Sequence, residues 1–266
     1  MQRLRSIRNL IVDMDGVLYL GDQPMSGLQM FFTFLREHGI GFRLVTNNAT
    51  LTPDLYVRKM ARMGVTVDQG DVLTTSIATA DYIAARYPPG SHVYAIGEEG
   101  LMVALQRAGM VLSRSDPVAV VVSFDRDVTY AKLREATLLI RSGVPFIATN
   151  TDLTLPVPEG QVPGAGTIVA AVAVASGQEP LVIGKPEPLL MEQAMAHMGA
   201  TPATTAALGD RLETDILSAQ RAGLLGILAL SGATDRAQLA NSDIEPDMVV
   251  DDIRSLVAGW RRVLEE

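Results

Sequence analysis

Short β-branched runs alternate with longer amphipathic stretches through most of this chain, and that rhythm constrains the fold more than any other feature. Asn9–Val12 reads as a buried strand ending at Asp13. Gly27–His38 reads as a helix, with Leu28, Phe31, Phe32 and Leu35 at helical spacing and Gly39 as its stop. Phe42–Val45 is the next strand, ending at Thr46. A helix then starts near Thr52-Pro53, where Thr52 suits a cap and Pro53 the first helical position. Strand, helix, strand, helix implies an α/β fold: a Rossmann-like parallel sheet with helices on both faces. Ligands of such sheets bind at the carboxyl ends of the strands.

The middle of the chain repeats the rhythm. His92–Ile96, Ala119–Ser123 and Pro145–Ala148 read as strands; Glu98–Ala108, Tyr130–Ser142 and Thr167–Ser176 read as helices. The stretch before the last helix is rich in proline and glycine (Pro156, Pro158, Gly160, Pro163, Gly164, Gly166) and reads as a loop. The pattern resumes with a strand at Leu181–Ile183 and a helix from Pro188 to Met198. A strand at Thr205–Leu208, a helix at Asp215–Ala222 and a strand at Gly226–Leu230 follow. Pro88-Pro89-Gly90 and Gly177–Pro180 look like hinges. The expected organisation is therefore a core of residues 1–87 and 180–266 with an inserted α/β domain at 88–179.

Composition removes several functions. Cysteine is absent, which excludes disulfides, zinc–thiolate sites, iron–sulfur clusters and a cysteine nucleophile. A net charge of -8 argues against a nucleic-acid-binding face. The longest apolar run, Ile168–Ala175, falls far short of a membrane span, so no membrane partner and a cytoplasmic location are the default expectation. Met25, Met30, Met60 and Met63 lie on apolar helical faces and are expected in the core. Gly164-Ala165-Gly166 lacks the third glycine of a dinucleotide fingerprint, Val169 standing there. No GxxxxGK[ST], GxSxG or HExxH occurs.

Four clusters carry chemistry. Asp13-Met14-Asp15-Gly16 places two carboxylates, two residues apart, at a strand end. That suits a nucleophile and an acid/base acting on one phosphoryl group; a simple Asp-Gly turn reads equally well. Thr46-Asn47-Asn48 offers a hydroxyl and backbone N–H groups for phosphate oxygens. Taken alone, a polar loop with local asparagine hydrogen bonds is the simpler account. Lys185, in Gly184-Lys185-Pro186, is placed at a strand end where its charge would neutralise a phosphoryl group; alone it reads as an exposed lysine. Asp210 ends a strand and Asp215 starts a helix, where it would cap or support Mg²⁺, an ion that takes oxygen ligands. Each cluster follows an expected strand of one parallel sheet, so all four should converge on one crevice.

Their order, Asp13-x-Asp15-Gly16-Val17, Thr46-Asn47-Asn48, Lys185, then Gly209-Asp210 with Asp215, resembles the haloacid-dehalogenase-like hydrolases. The match is closest to the NagD/4-nitrophenylphosphatase branch. Asp125 before Thr129-Tyr130, Ala148-Thr149-Asn150-Thr151-Asp152 and Pro163-Gly164-Ala165-Gly166 are similar to it as well. The resemblance implies a Mg²⁺-dependent phosphatase acting on a small-molecule phosphomonoester, such as a sugar phosphate or nucleoside monophosphate. Asp13 would become an aspartyl phosphate. Asp15 would protonate the leaving alcohol and lend its backbone carbonyl to the metal. Asp13 and Asp210 would ligate the metal by their side chains, with Asp215 orienting the metal's surroundings or Lys185. Thr46, Asn47, Asn48 and Lys185 would hold the phosphoryl group. The inserted domain would be a substrate-selecting cap, through which relatives pair into homodimers. The rival reading is a non-catalytic regulator that binds a phosphate ligand on the same fold.

Overall fold

A computed structural model describes residues 1–157 and 159–265. Pro158, counted above in the Pro/Gly-rich stretch, and Glu266 lie outside the described residues. The chain divides into two compact units: Met1–Thr46, Pro53–Leu73 and Lys185–Glu266 form one; Asn47–Thr52 and Thr74–Gly184 form the other.

In the first unit the strand Asn9–Asp13 is buried at its last four residues, as an interior parallel strand must be when both of its faces are covered. It lies between Thr205–Gly209 and Gly41–Thr46, paired in parallel with each. The whole six-stranded sheet runs Met248–Val250, Leu225–Ala229, Thr205–Gly209, Asn9–Asp13, Gly41–Thr46, Val72–Thr74. Val12 stands opposite both Leu208 and Leu44, and Asp13 opposite Val45. This register brings Asp13, Thr46 and Asp210 to one carboxyl edge.

The C-terminal helix Ile253–Glu265 buries Ile253, Leu256, Val257, Trp260 and Val263, one apolar stripe at helical spacing. Trp260 packs on Phe34 with ring centroids 5.8 Å apart. Met60 and Met63 are buried as expected, whereas Met30 is exposed on the solvent side of the helix Leu28–Glu37.

The second unit has a parallel sheet ordered Leu181–Val182, Phe146–Ala148, Ala119–Val122, His92–Ile96, Val111–Leu112. Ile96, Val120, Val122, Phe146, Ile168 and Val172 lie in its core. Two expectations fail here. The stretch before the helix Ala165–Ser176 is not a loop: Thr154–Val157 and Gly160–Pro163 pair antiparallel as a hairpin. A two-stranded ribbon tolerates proline because each strand has a free edge. The strand before Lys185, Leu181–Val182, joins this five-stranded sheet and stops two residues before Gly184. The four clusters therefore do not all follow strands of one sheet.

Among the described residues no helix is long and apolar enough to cross a membrane.

Candidate active site

In the first unit, Asp13 ends the central strand, and its Oδ1 accepts a hydrogen bond from Lys185 Nζ at 2.5 Å. The same ammonium donates to Asp215 Oδ1 at 2.5 Å. Asp215 was expected at a helix start. It sits instead inside a π-turn, Leu212–Ile216, that precedes the short helix Leu217–Arg221. There its Oδ2 accepts the backbone N–H groups of Asp210 (3.2 Å) and Arg211 (3.1 Å), tying the strand end to the turn. Asp210 Oδ2 accepts the Ala233 N–H at 2.6 Å, and the Asp210 carbonyl accepts the Thr234 N–H at 3.1 Å. Carboxylate oxygens of Asp13, Asp210 and Asp215 all lie within 4.8 Å of one another. Oxygen-only donors at this spacing fit a hard divalent cation.

Three buried carboxylates share one ammonium, and the charges respond. Burial pushes Asp13 well above the usual carboxylate range, with Asp215 and Asp210 adding to it against the pull of Lys185. Burial and then Asp215 push Asp210 up to about 6, although the Ala233 N–H favours its ionised form. Burial alone would lower Lys185, but the flanking Asp13 and Asp215 more than reverse that and hold it charged.

Asp15 lies on the turn after the strand, with an exposed side chain. Crowding by surrounding protein still raises its carboxyl, while Lys59, Lys185 and Arg211 pull it down. Gly16 makes the turn possible. Its φ of 81° is in the left-handed region, and a Cβ there would collide with the Asp210 carboxylate. Gly232 approaches the same carboxylate, again with no room for a Cβ. Ser231 Oγ donates to the Gly16 carbonyl at 2.8 Å. Thr46 is buried at the end of its strand.

The segment Ser231–Thr234 went unnoticed in the sequence. Its only signal is a Ser-Gly pair just past a buried strand, the same punctuation that marks Asp15-Gly16. Lys59 and Tyr19 were missed too; the ammonium lies 3.7 Å from the centre of the tyrosine ring.

Asn47 and Asn48 belong to the second unit. Asn47 Nδ2 donates to Asp152 Oδ1 at 3.0 Å, and its carbonyl accepts from Thr75 Oγ1 (2.7 Å) and Asn150 Nδ2 (2.8 Å). Asn48 Oδ1 accepts the N–H and the hydroxyl of Thr50 at 2.9 and 2.7 Å, a local loop closure. Asp152 N–H returns to Asn150 Oδ1 at 3.1 Å, and Thr149 Oγ1 donates to Ser123 Oγ at 2.8 Å. Asp125, also buried, holds Lys132 Nζ at 2.8 Å.

Residues 10–111 match the family described as haloacid dehalogenase-like hydrolase, and residues 182–256 one described as HAD-hydrolase-like. An acid sugar phosphatase of Staphylococcus aureus is 36% identical over 256 residues, covering 96% of this chain and 98% of that protein. The crystal structure of a 4-nitrophenylphosphatase from Thermotoga maritima superposes with a TM-score of 0.92 at 35% identity, covering 96% of this chain and 98% of that one. A glycerol phosphate phosphatase from Mycobacterium tuberculosis, solved in complex with magnesium, gives 0.87 at 32% identity, covering 95% of this chain and 78% of that one. With relatives this similar along nearly its whole length, and with the strand-end carboxylates in place, the chain belongs to the haloacid-dehalogenase-like hydrolases, in their NagD/4-nitrophenylphosphatase branch.

Proposed function

We propose that this chain, a phosphoric monoester hydrolase by its family, cleaves small phosphomonoesters through a phosphorylated Asp13 with Mg²⁺ as cofactor. The observation that carries the reading is the Asp13 carboxylate at the end of the central strand, held by Lys185 and flanked by Asp210 and Asp215.

Asp13 attacks phosphorus as the bond to the leaving alcohol breaks. The proton on the Asp15 carboxyl moves to that departing oxygen, and the raised affinity of Asp15 for its proton suits the role. Asp15 then takes a proton from the water that cleaves the aspartyl phosphate. Lys185, kept charged by its two carboxylate partners, and the Thr46 hydroxyl hold the phosphoryl oxygens, together with the Asn47 N–H and Asn48, which follow Thr46 in sequence. The side chains of Asp13 and Asp210 and the Asp15 carbonyl would hold Mg²⁺, with Asp215 in support, and the ion would supply the positive charge that the carboxylates demand.

The relatives' names point to sugar phosphates, glycerol phosphate or 4-nitrophenyl phosphate as the substrate class. None of the groups above reaches beyond the phosphoryl group and the departing oxygen in this reading, so we assign choice of leaving group to the inserted segment 88–179. In the test, the purified chain releases phosphate from 4-nitrophenyl phosphate with Mg²⁺, falls silent in EDTA and recovers when Mg²⁺ returns. Rapid quench of a turnover with ³²P-labelled substrate traps the phosphoryl group on Asp13, and Asp13→Asn traps none. Binding of phosphate without any turnover would establish the regulator reading instead.

A further inference from the structure

Tyr19 helps to close the turn that carries Asp15, alongside the Leu18 N–H on the Met14 carbonyl. Gly16 N–H donates to the Tyr19 carbonyl at 2.9 Å, and Asp15 and Tyr19 form a β-bridge. Tyr19 also opens the small hairpin Tyr19–Leu20/Gln23–Pro24, so its backbone ties the turn to the next element. Its side chain is fully buried, yet its hydroxyl makes no hydrogen bond. Packing and whatever faces the ring must fix Tyr19. What faces the ring is Lys59, whose Nζ stands 3.7 Å from the ring centre, well inside cation–π range. Lys59 is half-buried on the helix Pro53–Arg62, which Tyr56 and Met60 anchor in the interior. The ammonium is thus delivered by a rigid element.

We propose that Lys59 is a positioning residue for Asp15: seated on the Tyr19 ring, its ammonium locks the turn that aims the Asp15 carboxyl at the leaving-group oxygen. The inference rests on the reading of Asp15 as proton donor. Lys59 is also the cation with the strongest pull on the Asp15 carboxyl, ahead of Lys185 and Arg211. The step itself is unchanged: the Asp15 proton passes to the alcohol oxygen as its bond to phosphorus breaks and the bond from Asp13 forms. Lys59 touches none of the reacting atoms.

The test compares Lys59→Met, which keeps the stem and removes the charge, with Lys59→Arg, which keeps both charge and ring contact. An alkyl phosphate needs its leaving group protonated; 4-nitrophenyl phosphate hardly does. Lys59→Met should lose about tenfold in kcat on glycerol phosphate and under about threefold on 4-nitrophenyl phosphate, a fraction of what a general acid contributes. Lys59→Arg should recover to within about twofold of wild type. Amide hydrogen exchange at Gly16, which needs no turnover, should quicken about tenfold in Lys59→Met and not in Lys59→Arg, the energy of an ordinary cation–π contact. Asp15→Asn supplies the reference. If its losses are equal on both substrates, the proton-donor reading fails, whereas Gly16 exchange still reports whether Lys59 holds the turn. Unchanged exchange in Lys59→Met would overturn the proposal. So would equal losses on both substrates in Lys59→Met beside a skewed Asp15→Asn.

Discussion

Asp13, Asp210 and Asp215 crowd around a single ammonium in one compact unit of this chain, whereas the other buries its polar groups in matched pairs. There, Thr149 meets Ser123, Asn150 meets the Asn47 carbonyl, Asn47 meets Asp152, and buried Asp125 has Lys132. Buried polar groups that satisfy one another rigidify a fold. Buried carboxylates that outnumber their counter-charge destabilise it until something positive arrives. The first arrangement stays costly without a ligand, and the second is complete without one. That contrast, more than any single distance, supports the proposal that chemistry takes place in the first.

The widest separation should come from Asp13→Asn. It removes the proposed nucleophile, so turnover of 4-nitrophenyl phosphate should fall by about 10⁴-fold or more, read by phosphate release. Residual turnover near wild type would dissolve the comparison. Asp210→Asn should come next. The concentration of Mg²⁺ needed for half-maximal activity should rise about 10–100-fold, as for losses around metal sites. In chelator, the same variant should melt above wild type, because it relieves carboxylate crowding.

Asp125→Ala should do the reverse in the second unit. It removes one of the two acceptors of the Lys132 ammonium and the acceptor of the Asp127 N–H, and should cost about 1–3 kcal/mol, seen as a lower urea midpoint at constant slope. A stabilised Asp125→Ala would show that the second unit also carries excess charge.

The finest test is pH. Asp210 is pushed up to about 6 in the folded protein, against 3.8 for an ordinary carboxyl. A raised carboxyl binds its proton more tightly when folded, so its stabilising contribution is full below the ordinary value and lost as pH rises through about 6. In chelator, the melting gap between Asp210→Asn and wild type should be small near pH 4 and open across that window. A gap independent of pH would mean that Asp210 is not strained by its charge.

Much of this was legible in the sequence because buried parallel strands write themselves as apolar runs, and a carboxylate just after such a run is conspicuous. Asp13, Thr46 and Asp210 were found that way. Lys185 was placed with them on the wrong grounds, since its preceding strand belongs to the other sheet; what brings it in is the ion pairing itself. The hairpin at Thr154–Pro163 was hidden by its prolines, and the helix Ile253–Glu265 was overlooked although its apolar stripe was there to read. The Lys59–Tyr19 contact was not readable, and a Ser-Gly pair past a strand was all that pointed to Ser231–Thr234. Both join residues distant in sequence through packing, which no local pattern specifies.

Gly16 and Gly232 both close on the Asp210 carboxylate, and neither has room for a single added carbon. The geometry of the centre is thus written partly in residues that carry no functional group. A survey of harmful natural variants in this enzyme should turn up damaged alleles at these two silent-looking positions. Each would be misfiled as a folding defect, although the injury is to a carboxylate pushed out of line.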